Sequence, residues 1–245
     1  MGRVFPNGWR EPAVTLQVGA FHCHGGLTPT APQIVWLIRD GDPLPDWVAP
    51  HTVLSAAEIA RADSIRHPVA KSNFMRGRAV LRSALAQILA CDPSDVPIRI
   101  AFLGKPFVDM PDVHFNMSHT AGFALFGIGR VPIGVDIESA DPKRDCDGLM
   151  RRYFTPEEQG EYFGLPAERR PAAFLRGWTC KEALLKAIGS GVRDLQNCRV
   201  RMNPDAEPAV LLAPGDATWQ LAGGEVEPGV SWAVCTRFEF RLSPS

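Results

Sequence analysis

Residues 133–138 read Ile-Gly-Val-Asp-Ile-Glu, so that every second residue is isoleucine or valine. Strict alternation is typical of a β-strand, in which successive side chains point to opposite faces of a sheet. The three apolar side chains then share one face, while Asp136 and Glu138 share the other with their α-carbons about 6–7 Å apart. Two carboxylates at this spacing can converge on one hard cation such as Mg²⁺, although a solvated strand end is the simpler alternative.

A second informative stretch is residues 171–188, which has helical periodicity and stops at Gly189-Ser190-Gly191. On this predicted helix Glu182 and Lys186 lie together on one flank, four residues apart. They could equally form a solvated ion pair worth about 0.3–0.5 kcal/mol. Lys181 falls inside the apolar stripe, where a lysine either extends along its stem to solvent or meets an anion.

Two shorter segments contain candidate phosphate-binding groups. His114-Phe115-Asn116-Met117-Ser118-His119-Thr120 is typical of a strand that runs into a loop of hydrogen-bonding residues. Its hydroxyl, imidazole and backbone N–H groups can be presented to a phosphate, although a structural role for His119 alone is as well supported. Upstream, Gly104-Lys105-Pro106 places a lysine in a tight turn, which by itself indicates only a turn.

Helical and strand patterns are mixed along the remaining chain, which predicts an α+β protein. Ser55 followed by Glu58 is a capping box that should begin one helix, and Thr155-Pro156 should begin another. We expect two similar α+β halves, residues 1–125 and 126–245. An irregular arm should occupy about the first 30 residues because they mix glycine, proline and polar residues without periodicity.

The composition excludes several classes of function. Lys and Arg (26) nearly balance Asp and Glu (27), so no global basic field exists to bind nucleic acid or an anionic membrane. No apolar run approaches the roughly 20 residues that span a bilayer, and we expect a cytoplasmic protein. The six cysteines contain no CxxC pair, which favours reduced thiols. Phe21-His22-Cys23-His24 is too isolated to indicate a metal site.

Each of these motifs is weak alone, but their order along the chain is specific. It resembles that of the 4′-phosphopantetheinyl transferases of the surfactin-synthetase-activating type, over about residues 55–192. The blocks that carry the resemblance are, in order, Gly104-Lys105-Pro106, Phe115-Asn116-Met117-Ser118-His119, Gly134-Val135-Asp136-Ile137-Glu138 and Trp178-x-x-Lys181-Glu182-Ala183-x-x-Lys186-x-x-Gly189-x-Gly191.

The resemblance implies a fold, a reaction and a metal site. The fold is two α+β halves related by a pseudo-twofold axis, with coenzyme A between them. By position, Asp136, Glu138 and Glu182 match ligands of Mg²⁺, for which Mn²⁺ is an alternative, and Lys186 matches a lysine that contacts the pyrophosphate. Glu158 matches a further glutamate near the site. Glu182, Glu158 or a metal-bound water is then the base that accepts a proton from the attacking serine.

The same resemblance assigns residues to coenzyme A. Lys105, Ser118 and His119 match residues that hold the nucleotide and its 3′-phosphate, and Lys181 and Lys186 are further candidates to bind this substrate. One departure is clear: a position where the family often has an arginine is Asn73 here. Arg61, Arg66 and Lys71 are the candidates to replace its charge.

The implied function is transfer of phosphopantetheine from coenzyme A to an apo acyl or peptidyl carrier protein by a monomeric enzyme. The alternatives are a Mg²⁺-dependent hydrolase of nucleotide pyrophosphates and a non-catalytic module that binds coenzyme A or a carrier. Because carriers are acidic, a basic face should meet them. The candidates for this face, chosen for clustering alone and equally explained as solvated helix faces, are Arg78, Arg82, Arg151 and Arg152.

Overall fold

Groups of helices and groups of strands follow one another along the described part of the protein. The computed structural model describes residues 33–44, 46–101 and 104–238, so the arm and Phe21-His22-Cys23-His24 lie outside the described residues. The α-helices of the described part are α1 (Ala56–Asp63), α2 (Pro68–Leu89), α3 (Cys146–Tyr153), α4 (Pro156–Phe163) and α5 (Arg170–Ile188). Its strands are β1 (Gln33–Arg39), β2 (Arg99–Ile100), β3 (Pro106–Phe107), β4 (His114–Thr120), β5 (Phe123–Gly129), β6 (Ile133–Ser139), β7 (Arg199–Val200), β8 (Val210–Leu212), β9 (Trp219–Glu227) and β10 (Val230–Arg237). The predicted α+β class is confirmed.

The described residues fall into two compact units, residues 38–98 and residues 33–37 with 99–238. The predicted halves, residues 1–125 and 126–245, and their pseudo-twofold relation stay predictions. None of the described helices is both long enough and apolar enough to cross a membrane.

The unit of residues 38–98 is built around a buried charge. The predicted capping box is confirmed: Ser55 and Glu58 exchange side-chain and backbone hydrogen bonds at the start of α1. Glu58 Oε2 also accepts a hydrogen bond from Arg82 Nε at 2.6 Å, which ties α1 to α2. One carboxylate therefore stabilises a helix start and a helix pair together.

Arg82 does not lie on the surface, so its prediction as part of a carrier-binding face is wrong. It is only 3% exposed, and its Nη1 donates to the carbonyl oxygens of Pro93, Ser94 and Val96. Arg78 on the same helix is also mostly enclosed, and burial lowers the pKa of its guanidinium. Arg82 thus holds the loop of residues 93–96 in place, because its planar guanidinium satisfies several acceptors at once.

The larger unit contains two three-stranded sheets, ordered β1-β5-β4 and β6-β10-β9. Strand β4 pairs antiparallel with β5, and β10 pairs antiparallel with both β6 and β9. Strands β4 and β6 lie next to each other and are joined by side chains: Asn116 Oδ1 accepts from the Val135 N–H at 2.9 Å, and Thr120 Oγ1 accepts from the Ser139 N–H at 3.1 Å. These bonds fix the register between the two strands. They bring Ser118 on β4 opposite Asp136 on β6.

The alternation predicted for residues 133–138 is confirmed. Ile133, Val135 and Ile137 are fully buried, in one core cluster with residues of β5 and β10. The opposite face of β6 is covered by α5, which is buried around most of its circumference and packs on β6 and β10. The predicted end of this helix is also confirmed, since Gly189 adopts the left-handed conformation at φ +84° that glycine favours at a helix C-terminus.

Candidate active site

The site depends on a direct backbone contact between α5 and β6. A β-carbon built on Gly134 would lie 2.1 Å from the carbonyl oxygen of Ala183 and 2.3 Å from the amide nitrogen of Ala187. No side chain larger than hydrogen fits there, so helix and strand touch without an intervening layer. This contact brings Lys186 of α5 within reach of Asp136, two residues beyond Gly134 on the same face of β6.

Three elements meet at Asp136. Its Oδ1 accepts hydrogen bonds from Lys186 Nζ at 2.6 Å and from Ser118 Oγ at 2.8 Å, and Lys186 Nζ also donates to Ser118 Oγ at 3.2 Å. Asp136 is only 2% exposed, whereas the Lys186 side chain is 29% exposed. A buried carboxylate is thus paired with a lysine that solvent still reaches.

Burial and the negative charge of Asp136 raise the pKa of two further carboxylates, Glu182 and Glu138. Burial raises the pKa of Glu182, and the negative charges of Asp136 and Glu138 raise it further while Lys186 opposes the rise. Burial, followed by the charge of Asp136, likewise raises the pKa of Glu138. The three predicted metal ligands are therefore close enough to repel one another, as carboxylates do when they share a site.

The donor set fits a divalent cation. Asp136 Oδ2 is buried and has no hydrogen-bond partner, and leaving such an oxygen unsatisfied is costly. A hard cation with oxygen ligands would satisfy it and relieve the repulsion among the three acids. Among the described residues no three His, Cys, Asp or Glu side chains are already arranged as a metal-binding group, so the fit rests on chemistry and on Asp136 Oδ2.

Glu158 and Lys181 form a separate, closed pair. Both side chains are 0% exposed, and Lys181 Nζ donates to Glu158 Oε2 at 2.5 Å and to the Cys198 carbonyl oxygen at 2.8 Å. Glu158 Oε1 accepts from the Val200 N–H at 2.8 Å, and Oε2 also accepts from the Thr155 N–H. The anion predicted to meet Lys181 is therefore the buried carboxylate of Glu158. Either residue could contact a substrate only if this ion pair opened.

The predicted nucleotide-binding residues of the same unit lie at the edge of this cluster. Lys105, which follows Gly104 at φ +84°, donates through Nζ to the carbonyl oxygen of Lys186, and burial lowers its pKa. His119 is exposed at the position after Ser118 on β4. Lys105, Ser118 and Lys186 are thus brought together, and their roles toward a nucleotide stay predictions.

The candidates for the 3′-phosphate, Arg61, Arg66 and Lys71, lie in the unit of residues 38–98, as does Asn73 at the position where the family often has an arginine. Arg61 donates to Ser64 Oγ at 3.3 Å, Lys71 pairs with Asp63 at 2.8 Å, and Asn73 donates to Asp40 at 2.5 Å. Arg66 is exposed. The first two contacts are at the surface, where such pairs are weak, so they leave these cations able to exchange partners. Their role stays a prediction.

Two contributions to the site were missed by sequence reasoning. Asn116 belongs to the motif of residues 115–119, but no role was predicted for it. Its side chain fixes β4 against β6 by accepting the Val135 N–H. Arg144 lies in the loop after β6, and its Nη2 is 3.5 Å from Glu138 Oε2. The only sequence signal for Arg144 is a basic residue six positions after a candidate ligand, which is too common to be informative.

Comparison with known proteins identifies the family. The sequence model of the 4′-phosphopantetheinyl transferase superfamily matches residues 132–236. This range includes β6, α5 and the three acids Asp136, Glu138 and Glu182. The 4′-phosphopantetheinyl transferase HetI of Nostoc sp. is 36% identical over 174 residues, which cover 69% of this chain and 72% of the relative. The chain belongs to the 4′-phosphopantetheinyl transferase superfamily. The resemblance seen in its motifs is confirmed.

Two further relatives match over comparable shares of both chains, and one solved structure matches over less of this chain. A phosphopantetheinyl transferase of Thraustochytrium sp. is 30% identical over 237 residues, covering 84% of this chain and 80% of the relative. Sfp of Bacillus subtilis is 29% identical over 161 residues, covering 65% and 71%. A holo-(acyl-carrier-protein) synthase structure from Bacillus anthracis, in complex with CoA (3′,5′-ADP), covers 44% of this chain with a TM-score of 0.38 and 24% identity. Membership of the superfamily, shown by the family match and by these relatives, makes the protein an enzyme of the transferase class.

Gly134→Ala should destabilise this phosphopantetheinyl transferase by at least about 2 kcal/mol, because the added methyl group meets backbone atoms that cannot move independently of α5. Gly160→Ala is the matched control: it lies on α4 with nothing within 4 Å of the added carbon. Urea unfolding of both variants provides the measurement. An unchanged stability of Gly134→Ala would contradict the direct contact of α5 with β6.

Lys181→Met should cost about 3–5 kcal/mol, because it leaves the Glu158 carboxylate charged and buried without its cation. Adding Glu158→Gln to this variant should recover part of the loss, since the neutral amide needs no counter-charge. A double-mutant cycle by urea unfolding measures the coupling. Strictly additive effects would show that the two side chains do not form the buried pair.

Proposed function

We propose that this enzyme transfers the 4′-phosphopantetheine group of coenzyme A to a serine of an apo acyl or peptidyl carrier protein, releasing adenosine 3′,5′-bisphosphate. Membership of the superfamily supports the reaction in general. The environment of Asp136 supports this cluster as the place of the reaction. One oxygen of this buried carboxylate accepts from Lys186 and Ser118, and the other has no hydrogen-bond partner. The predicted cytoplasmic location and monomeric state stay predictions.

Asp136, Glu138 and Glu182 are proposed to hold Mg²⁺, with Mn²⁺ as an alternative. When bound, the metal would neutralise charge on the diphosphate of coenzyme A and on the leaving group. The unsatisfied Asp136 Oδ2 and the mutual repulsion of the three acids support this donor set. The rigid contact at Gly134 keeps Asp136 and α5 together, so the ligands on strand and helix are held by the core.

Lys186 is the residue proposed to contact the diphosphate. Its ammonium lies on Asp136 and Ser118, and the exposure of its side chain lets a substrate phosphate reach it. A cation fixed beside the leaving group stabilises developing charge without reorganisation. Ser118 keeps Asp136 oriented from β4, so that Lys186 can exchange Asp136 for a phosphate oxygen without losing the geometry of the carboxylate.

Glu182 is proposed as the base that accepts the proton of the attacking serine. It lies one helical turn from Lys186 on the flank of α5, and no described residue forms an ion pair with it. Glu158 is the poorer candidate, because each of its oxygens is occupied in the interior. Its proposed role, with Lys181, is to position the centre of α5.

Several polar and basic residues are proposed to bind coenzyme A. Lys105, Ser118 and His119 would hold the nucleotide, and Arg61 and Lys71 the 3′-phosphate. For the carrier protein, Arg151 and Arg152 remain as candidates. Their guanidinium groups lie over the rings of Phe163 and Tyr153, so both present charge from ordered positions at the surface.

The transfer assay tests the function directly. Apo carriers of the fatty-acid, polyketide and nonribosomal-peptide classes are incubated with coenzyme A, Mg²⁺ and the enzyme, and intact mass spectrometry should show a phosphopantetheine adduct on the carrier. The same reaction with the carrier serine changed to alanine should show none. Cleavage of coenzyme A without any carrier adduct would overturn the proposal and support a nucleotide-pyrophosphate hydrolase.

Glu182→Gln should still bind coenzyme A yet transfer at least about a hundredfold more slowly at every Mg²⁺ concentration, because removing a positioned base costs about 10²–10⁴ in rate. Glu168→Gln, an exposed glutamate ahead of α5, is the control and should transfer normally. Steady-state kcat over a Mg²⁺ series provides the measurement. Recovery of kcat at high Mg²⁺ would show that Glu182 is a ligand and not the base.

A further inference from the structure

Arg144 is a cation of the site that the proposed mechanism does not use. It lies in the loop between β6 and α3, where its backbone N–H donates to the Asp141 carbonyl oxygen at 3.0 Å and its carbonyl oxygen accepts from the Cys146 N–H at 2.9 Å. These two bonds hold the loop in a turn just before Asp145, the N-cap residue of α3. The Arg144 side chain extends from this turn back to the end of β6.

The guanidinium of Arg144 contacts one of the three carboxylates. Its Nη2 lies 3.5 Å from Glu138 Oε2, and the two side chains are 26% and 28% exposed. The neighbouring carboxylate, Asp136, is paired in the same way with Lys186. Two of the three acids therefore each have a cation of the chain as partner, and only Glu182 lacks an ion pair among the described residues.

An arginine at this place cannot give way by losing its proton, because a guanidinium stays charged at any physiological pH. Any other cation that takes Glu138 must therefore displace Arg144 or share the carboxylate with it at a cost in repulsion. The contact is partly open to solvent, so breaking it is inexpensive. This combination suits a temporary counter-charge and does not suit a structural clamp.

We propose that Arg144 is the resident counter-charge of Glu138 and competes with the divalent cation for this carboxylate. The inference rests on the proposed function, because it takes Glu138 as a metal ligand. Its consequence is that the enzyme alone binds metal weakly. Loading of the metal then frees a guanidinium beside the site, where it can meet the anionic diphosphate.

Mn²⁺ binding without coenzyme A tests the proposal, with free Mn²⁺ followed by its EPR signal. Arg144→Gln should bind Mn²⁺ about three- to tenfold more tightly than the wild-type enzyme, as expected for loss of one partly screened charge beside a ligand. Arg144→Lys, which keeps the charge, should stay near wild type. The difference should shrink at high salt, because added ions screen the lost charge.

Lys143→Gln is the matched control. It makes the same change in net charge one residue away, on an exposed side chain, and should alter Mn²⁺ affinity by less than about twofold. Thermal unfolding checks that each variant is folded. If Arg144→Gln binds Mn²⁺ no more tightly than Lys143→Gln, or more weakly than wild type, Arg144 does not compete for Glu138 and the inference is overturned. If the wild-type enzyme and Arg144→Gln both bind no Mn²⁺, the proposed metal site fails as well.

Discussion

The contact between the backbones of α5 and β6 at Gly134 is the constraint on which the site depends. A strand places every second residue on the same face, so Gly134 and Asp136 both face α5. The helix presents Ala183 and Ala187 to the strand, one turn apart, and their small side chains allow the close approach. Lys186 then reaches Asp136, with its Nζ 2.6 Å from Asp136 Oδ1. A larger residue at Gly134 would separate the charges by the thickness of a side-chain layer.

Helix α5 supplies lysines to two different kinds of ion pair. Lys181 and Lys186 are five residues apart, so at 100° per residue they point to different faces. Lys181 meets Glu158 in a pair whose partners are satisfied on every side by Cys198, Val200 and Thr155. Lys186 meets Asp136, which keeps one oxygen unsatisfied. An ion pair whose polar atoms are all hydrogen-bonded is typical of a structural role. A buried carboxylate oxygen without a partner, as in Asp136, is typical of a functional site.

Local patterns predicted the elements that carry the site, because their signals lie within a few residues. The alternation of residues 133–138 and the glycine stop at Gly189 depend only on neighbours in sequence. Arg82 was mispredicted because the partners that bury it, Glu58 and Pro93, are 24 and 11 residues away. The pairing of Lys181 with Glu158, 23 residues away, was equally invisible. Composition and periodicity give the type of a side chain and its face, and packing alone decides which charge it meets.

The two classes of ion pair differ in what it costs to open them, and this difference suits their places in the enzyme. Opening a fully buried pair such as Glu158 with Lys181 strands a charge in the interior, at a cost of several kcal/mol. Opening a pair in which solvent reaches both partners costs about 1 kcal/mol or less, and Arg144 with Glu138 is closest to this kind. The pair of Lys186 with Asp136 is intermediate, because the lysine is partly exposed while the carboxylate is buried. The closed pair lies under the middle of α5, and the two pairs with a partly exposed cation lie on carboxylates proposed to bind metal. Partner exchange is thereby confined to the residues that must meet a cation and a diphosphate, while the helix that presents them stays fixed.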